Sequence, residues 1–377
     1  MTEAVYLDYN AGAPARPEVA AAMAEVLTQP GNPSSVHGFG RAARHRIETA
    51  RAAIAELVGA SPAGVVFTSG GTEANALALR GLGAERVLVS AVEHPSVLDA
   101  TSGLEIIAVD HVGRVDLGRL DAMLAADSRP ALVSVMLANN ETGVIQPVCE
   151  VAAIAHRHGA VFHCDAAQAI GRIPVRLDRL GADFITLSAH KFGGPPGIGA
   201  LVSGLEQFSL APILLGGGQE RRRRAGTENL PGIVGFGVAA TMARDDLRPD
   251  DTISKMRDRL EVLARQRVPD AVVIAAGAER LPNTACLALP GLAAQTQVMA
   301  LDLAGVAVSA GAACSSGKVG ASRVLAAMGL EPALAGSAIR VSLGWASRDE
   351  DVDRFLAAWS DLARRKGFSV SPAAQAA

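Results

Sequence analysis

Two short segments, 26 residues apart from Asp165 to Lys191, hold the side chains from which a reaction centre can be built. The first is His163-Cys164-Asp165-Ala166-Ala167-Gln168, which follows the apolar pair Val161-Phe162. The second is Ser188-Ala189-His190-Lys191, which follows Phe184-Ile185-Thr186-Leu187. Each reads as a short buried strand ending in polar groups, and parallel sheets place their ligands at the carboxyl ends of strands. One strand end offers a carboxylate and an amide, the other a hydroxyl, an imidazole and an amine. A lysine that can form a Schiff base and an aspartate that can keep a pyridine nitrogen protonated are what pyridoxal phosphate requires. Taken singly, a lysine after a strand is ordinarily solvated, and an aspartate there is often a helix N-cap. The pair gains weight only from its surroundings.

Those surroundings are strands alternating with helices. Val65-Val66-Phe67-Thr68 reads as a strand, Ser69-Gly70-Gly71-Thr72-Glu73 as a glycine turn, and residues 74–80 as a helix. Such a unit presents free backbone N–H groups to an anion, and Thr72 adds a hydroxyl. Ser-x-x-Thr-Glu is also an ordinary helix cap, so the turn alone does not establish a phosphate site. Strands follow at 86–90, 105–109, 131–136 and 198–202, with helices at 116–126 and 151–158 between them. This alternation predicts a mostly parallel sheet covered on both faces. Polar groups recur at the strand ends: His94, Asn140, Asp165 with Gln168, and Ser188 with Lys191.

Composition excludes several function classes. Among 377 residues, 38 acidic side chains against 35 basic ones argue against a general nucleic-acid binder. The run Arg221-Arg222-Arg223-Arg224 fits a basic loop beside an anionic cofactor or at a subunit contact better than a nucleic-acid patch. No run of about 18 apolar residues predicts a membrane span. The amino terminus lacks a basic segment followed by an apolar one, so no signal peptide is expected and the cytoplasm is the expected compartment. Cys149, Cys164, Cys286 and Cys314 form no Cys-x-x-Cys pair, so no metal site is expected. Cys149, Cys164 and Cys286 read as buried, inert thiols.

The pattern changes near residue 245. Short strands at 272–274, 286–289, 306–308 and 339–341, with helices at 295–304, 322–328 and 350–364, read as a second, smaller α/β domain. The Ser/Pro/Ala-rich end, 369–377, reads as a frayed tail. Cys314 lies among small residues, Ala312-Ala313-Cys314-Ser315-Ser316-Gly317, where Lys318 could lower its thiol pKa. Arg340 on an apolar strand is either paired with a carboxylate of the protein or placed to bind a substrate carboxylate.

Taken in order, these motifs resemble the cysteine desulfurases of the NifS/IscS type, in the class V aminotransferase group of fold-type I pyridoxal phosphate enzymes. The resemblance spans nearly the whole chain. It runs through Gly31-Asn32-Pro33-Ser34-Ser35-Val36-His37, Thr68-Ser69-Gly70-Gly71-Thr72-Glu73-Ala74-Asn75, Glu93-His94-Pro95 and Asn139-Asn140-Glu141-Thr142-Gly143. It continues through the two segments described first, Ala225-Gly226-Thr227-Glu228-Asn229, Ala313-Cys314-Ser315-Ser316-Gly317 and Ser337-Ala338-Ile339-Arg340-Val341-Ser342. The family implies a large domain over 16–245 with a mostly parallel, seven-stranded-type sheet. It implies a smaller domain over 1–15 and 246–377 that carries the cysteine loop.

The resemblance also implies roles. Lys191 is the Schiff-base lysine, Asp165 pairs with the pyridine N–H, Gln168 bonds the phenolic oxygen and His94 stacks on the ring. Gly71, Thr72, Ser188 and His190 hold the phosphate, and Thr227 reaches the phosphate of a partner subunit in a homodimer. Asn140 and Arg340 hold the amino acid, Cys314 is the nucleophile, and the implied reaction takes sulfur from L-cysteine to a Cys314 persulfide. The sulfur then passes to an acceptor protein, for which an iron–sulfur scaffold is the family's usual example. A selenocysteine lyase, or another class V transaminase or lyase, is the alternative within the same group.

Overall fold

In the computed structural model of the chain, residues 4–247, 252–311 and 322–371 are described. The strands Val65–Thr68, Arg86–Ser90, Ala131–Ser134, Phe184–Ser188 and Gly199–Ser203 are buried along their whole length, and Val161–Asp165 nearly so. Strands without polar alternation are those covered on both faces. With Glu105–Ile107 they form one seven-stranded sheet. Its order is Val65–Thr68, Gly199–Ser203, Phe184–Ser188, Val161–Asp165, Ala131–Ser134, Arg86–Ser90, Glu105–Ile107.

Every adjacent pair is parallel except those made by Gly199–Ser203, which runs antiparallel to both neighbours. The link from Phe184–Ser188 to that strand holds only the short turn Ala189–Lys191 and a loop, too little chain for a parallel crossover. On one face, helices Gly38–Val58 and Leu230–Asp246 bury Ile47, Ile54, Ile233 and Phe236 against the sheet core. On the other, helix Gly71–Gly81 packs Ala74, Leu77 and Ala78 against Val66 and Leu201.

A second core forms around Leu260, Leu287, Leu301, Phe355 and Trp359, all fully buried. Its four strands are Ser309–Ala310, Ala338–Ser342, Thr284–Ala288 and Val272–Val273, antiparallel throughout. The strand expected over 306–308 divides: Val306–Ala307 pairs in parallel with Val5–Tyr6, and Ser309–Ala310 enters the four-stranded sheet. The amino-terminal strand is thus tied to the second core, and the chain then runs toward the first sheet's strand ends. Tyr9 is buried, Asn10 donates to Thr284 Oγ1 (2.9 Å), and Gln168 Nε2 donates to the Asn10 carbonyl (3.0 Å).

The arginine run has a buried anchor. Glu220 lies between two guanidinium N–H groups of Arg51 (2.7 and 2.8 Å) and also accepts from the Phe67 N–H (2.9 Å). Glu220, Arg221 and Arg222 take left-handed φ values of 45°, 57° and 65°, each costing about 1 kcal/mol or more for a non-glycine residue. The ion pair on Glu220 offsets that cost by fixing one end of the turn to the edge strand. Replacing Glu220 with alanine leaves the buried Arg51 cation with only the exposed Glu48 (3.2 Å) as a counter-charge, and is expected to cost about 3 kcal/mol, read as a lowered urea midpoint. An Arg51→Met/Glu220→Leu double variant is expected to lose less than Glu220→Ala alone.

Candidate active site

Strand register brings the two sequence segments together. His163 pairs with Phe184, Cys164 with Ile185 and Asp165 with Thr186, so Asp165 and the Ser188-to-Lys191 segment finish at the same sheet edge. There they line a cavity of about 440 Å³ with Gly71, Thr72, His94, Asn140 and Gln168. Nine residues expected at the site from sequence thus face one space: these five with Asp165, Ser188, His190 and Lys191.

The Asp165 carboxylate is held from two sides. Oδ2 accepts from Asn75 Nδ2 (2.7 Å) and Oδ1 from the Ala167 N–H (2.9 Å). The second Asn75 N–H goes to Ser96 Oγ (2.8 Å), and Ser96 Oγ meets His94 Nδ1 (2.8 Å). The Ser96 backbone N–H also donates to His94 Nδ1 (3.1 Å), so Nδ1 is an acceptor and the neutral ring carries its proton on Nε2. Burial lowers the His94 pKa, with Asp165 opposing and Lys191 reinforcing the shift, which leaves the ring neutral near pH 7.

Lys191 Nζ donates to the backbone carbonyls of Asn10 (2.7 Å) and Ala11 (3.0 Å). These acceptors belong to the amino-terminal segment, 180 residues away in sequence. The turn expected from sequence to hold an anion is the first turn of Gly71–Gly81, which faces Ser188 and His190. A Cβ on Gly71 would lie 3.4 Å from the Ser188 Cβ, and one on Gly199 would lie 2.6 Å from the Gly70 backbone carbon. At Gly199 only glycine permits that approach of turn to sheet. Burial, reinforced by Lys191, pushes the His190 pKa down to about 4, so at neutral pH it meets an anion as a neutral donor or acceptor. Arg224 ties the arginine loop to this turn through Glu73 (2.9 Å), which also accepts the Ser69 N–H (2.7 Å).

Other expected residues stand apart from the cavity. Arg340 is buried, paired with Asp8 (2.7 Å) and bonded to the Asn140 carbonyl (2.9 Å), so of its two readings the pairing with a protein carboxylate is the one observed. Its Nε has no partner among the described residues. Thr227 is exposed and borders a neighbouring cleft with Ser69 and Gly197. Cys314 and Lys318 lie outside the described residues. The flanking positions converge on Glu141, whose Oε2 accepts from Ser322 Oγ (2.5 Å) and would crowd any side chain at Gly311. Burial pushes the Glu141 pKa up to about 7, against the pull of Ser322 and Arg340.

Among the other thiols, Cys164 and Cys286 are buried as expected, but Cys149 is exposed. It sits in the first turn of Val148–Arg157, where its thiol faces the Arg179 carbonyl and not the core. Sequence reasoning gave no role to Asn75, Ser96, Asn10 or Arg172. Only Asn75 left a signal, a polar residue three positions after Thr72 on an otherwise apolar helix face.

The fold and site define an α/β protein with a glycine turn, a lysine and an aspartate meeting at one cavity beside the carboxyl ends of parallel strands. The family model Aminotransferase class-V matches residues 5–355, and the chain belongs to that family. It is 44% identical over 369 residues to a cysteine desulfurase of Cereibacter sphaeroides, covering 94% of each chain. Among solved structures it is similar to the NifS-like protein from Rickettsia africae ESF-5, with TM-score 0.89 and 35% identity over 96% of this chain and 100% of that one. It is also similar to a structure described as SspA in complex with cysteine, with TM-score 0.79 and 28% identity over 90% and 98% of the two chains.

His163, on the strand that carries Asp165, is fully buried between Ser134 Oγ (2.9 Å) and Thr186 Oγ1 (3.0 Å). Burial lowers its pKa to about 4 against the opposing pull of Asp165. The unfolded chain binds this proton below about pH 6.5 and the folded chain only near pH 4, so stability falls as pH drops through that interval. The loss is expected to reach about 3 kcal/mol. Urea midpoints measured from pH 7 to 4 should fall less steeply for His163→Phe than for the wild type.

Proposed function

We propose that the chain is a cysteine desulfurase that takes the sulfur of L-cysteine, releases L-alanine and carries the sulfur as a persulfide on Cys314. The observation that carries this reading is the convergence of Lys191, Asp165 and the Gly71 turn on one cavity, in a chain whose relatives bear that name over almost their whole length.

The donor set fits pyridoxal phosphate. The Gly71 turn lies against Ser188, with Thr72 and His190 beside it for the phosphate. Asp165 would hold the ring nitrogen, Gln168 the phenolic oxygen, Lys191 the aldehyde carbon and His94 the ring face. When bound, pyridoxal phosphate supplies an electrophilic carbon for amines and a cationic ring that takes up the electron pair released at the substrate's α-carbon.

The chain's own groups do the rest. Asn75 and Ala167 fix the Asp165 carboxylate, so its charge stays aimed at one nitrogen. Lys191, once displaced by the substrate amine, takes the α-proton on Nζ. His94 offers Nε2–H to the cavity side, because Ser96 occupies Nδ1. Asn140 lines the cavity for the substrate carboxylate, and Arg340 joins it by exchanging Asp8 for that carboxylate. The Cys314 thiolate attacks the substrate sulfur; the carbon–sulfur bond breaks, and its electron pair stays with carbon, which gains a proton. The balance is L-cysteine plus a Cys314 thiol giving L-alanine plus a Cys314 persulfide.

Thr227, exposed and outside this cavity, is assigned to the phosphate of a second copy, which makes the working unit a homodimer. A sulfur-acceptor protein, such as an iron–sulfur scaffold, then takes the persulfide sulfur. The cytoplasm, where thiols stay reduced, is the compartment assigned.

Purified protein given L-cysteine and a thiol reductant is expected to form alanine and sulfide in equal amounts. Cys314→Ala and Lys191→Ala are each expected to lower both products by about 10²-fold or more. Alanine or pyruvate production that survives Cys314→Ala would assign the chain to another reaction of the class, selenocysteine lysis or transamination included.

A further inference from the structure

Arg172 lies directly behind the lysine, and among the described residues no carboxylate pairs with it. Its Nη1 donates to both the backbone carbonyl and the side-chain Oε1 of Gln168. Its Nη2 donates to the carbonyls of Tyr9 (3.2 Å) and Lys191 (3.3 Å). All four acceptors are neutral oxygens, and among the described residues Arg172 makes no ion pair. Three arginines with largely buried side chains differ: Arg51 pairs with Glu220, Arg280 with Glu261 and Arg340 with Asp8. A desolvated cation without a counter-ion is costly, and proteins ordinarily pair it.

The contact to Gln168 has a second effect. A guanidinium only donates, so it fixes Gln168 Oε1 toward Arg172 and turns Nε2 the other way. One Nε2–H goes to the Asn10 carbonyl (3.0 Å), the same oxygen that accepts from Lys191 Nζ. The other is the donor Gln168 keeps for the cavity it lines. A lysine at position 172 would keep the charge but could not span all four oxygens with a rigid fork.

We propose that Arg172 is a positioning residue that acts through Gln168 and Lys191: it sets the Gln168 amide as a donor to the cavity, and its unneutralised charge weakens proton binding on the Lys191 nitrogen once the cofactor is held. This rests on the pyridoxal phosphate reading above. Gln168, so oriented, would donate its free N–H to the cofactor's phenolic oxygen. Other charged or titratable groups also act at this place. Asp165, His94 and His190 lie around Lys191, and Arg340, neutralised by Asp8, acts on Arg172. Of these groups, Arg172 is the cation bonded to both Gln168 and the Lys191 carbonyl, and burial, which lowers its pKa to about 9, leaves it charged near neutral pH.

The test is a pH titration of the visible absorbance of the full-length protein loaded with pyridoxal phosphate, in wild type, Arg172→Gln and Arg172→Lys. Removing a nearby positive charge favours the protonated, cationic form, so the midpoint for Arg172→Gln is expected to rise by about one pH unit. Arg172→Lys keeps the charge and is expected to stay within about 0.3 unit of wild type. A purely structural role would instead lower thermal stability in both variants and leave both midpoints in place. If Arg172→Gln does not give folded protein by circular dichroism, Arg172→Met is used, with the same expected rise. An unchanged midpoint in the neutral variant, or an equal rise in Arg172→Lys, overturns the proposal alone. A wild-type protein that acquires no visible absorbance overturns the cofactor reading and this proposal with it.

Discussion

The register between Val161–Asp165 and Phe184–Ser188 is the constraint on which the site depends. Side chains alternate between faces along a strand, so a slip of one residue would send Asp165 to the wrong side of the sheet. Burial on both faces prevents the slip. Phe162, Cys164, Ile185 and Leu187 pack in the larger core, while Phe184 packs in the core on the opposite face. His163, Ser134 and Thr186 bond one another across three adjacent strands, which adds a polar lock where only one register satisfies all three side chains.

A second constraint comes from the amino-terminal segment. Val5–Tyr6 pairs with a strand of the smaller core, and four residues later Asn10 meets the larger one. Asn10 contributes through both its backbone and its side chain. Its carbonyl accepts from Lys191 and Gln168, its amide nitrogen donates to Thr284 and the Asn140 carbonyl, and its Oδ1 accepts from Asn283. The cavity's lysine is therefore positioned partly by a segment anchored in the other core. The Asp8–Arg340 pair runs in the same direction, from the amino terminus to the strand Ala338–Ser342.

Much of this was legible in the sequence. Strand, turn and helix alternate with clear punctuation, and a carboxylate, an amine and a glycine turn at strand ends are local features. What stayed hidden is non-local. Glu220 reads as one acid beside four arginines, and nothing in the run marks Arg51, 169 positions earlier, as its partner. Asp8 and Arg340 are 332 positions apart. The antiparallel return of Gly199–Ser203 follows from a link too short for a crossover, whereas the apolar run itself is the same in either direction. Asn75 and Arg172 look like ordinary helix and loop polar residues until the fold sets them behind Asp165 and Lys191. Cys149 shows the opposite error: burial was expected from residue type alone, and the helix turns the thiol outward.

The two buried thiols bear on how a protein that carries reactive sulfur avoids losing it to itself. Sulfur exchange needs a thiolate, and burial pushes the Cys286 pKa up to about 12 and that of Cys164 well above the usual thiol range. At neutral pH the thiolate fraction of Cys286 is then about one part in 10⁵. Cys286 lies opposite Arg340 in the smaller sheet, and its protonated sulfur is a poor nucleophile there. Of the three described thiols, the two in the cores are thereby removed as sulfur acceptors, and only Cys149 remains accessible.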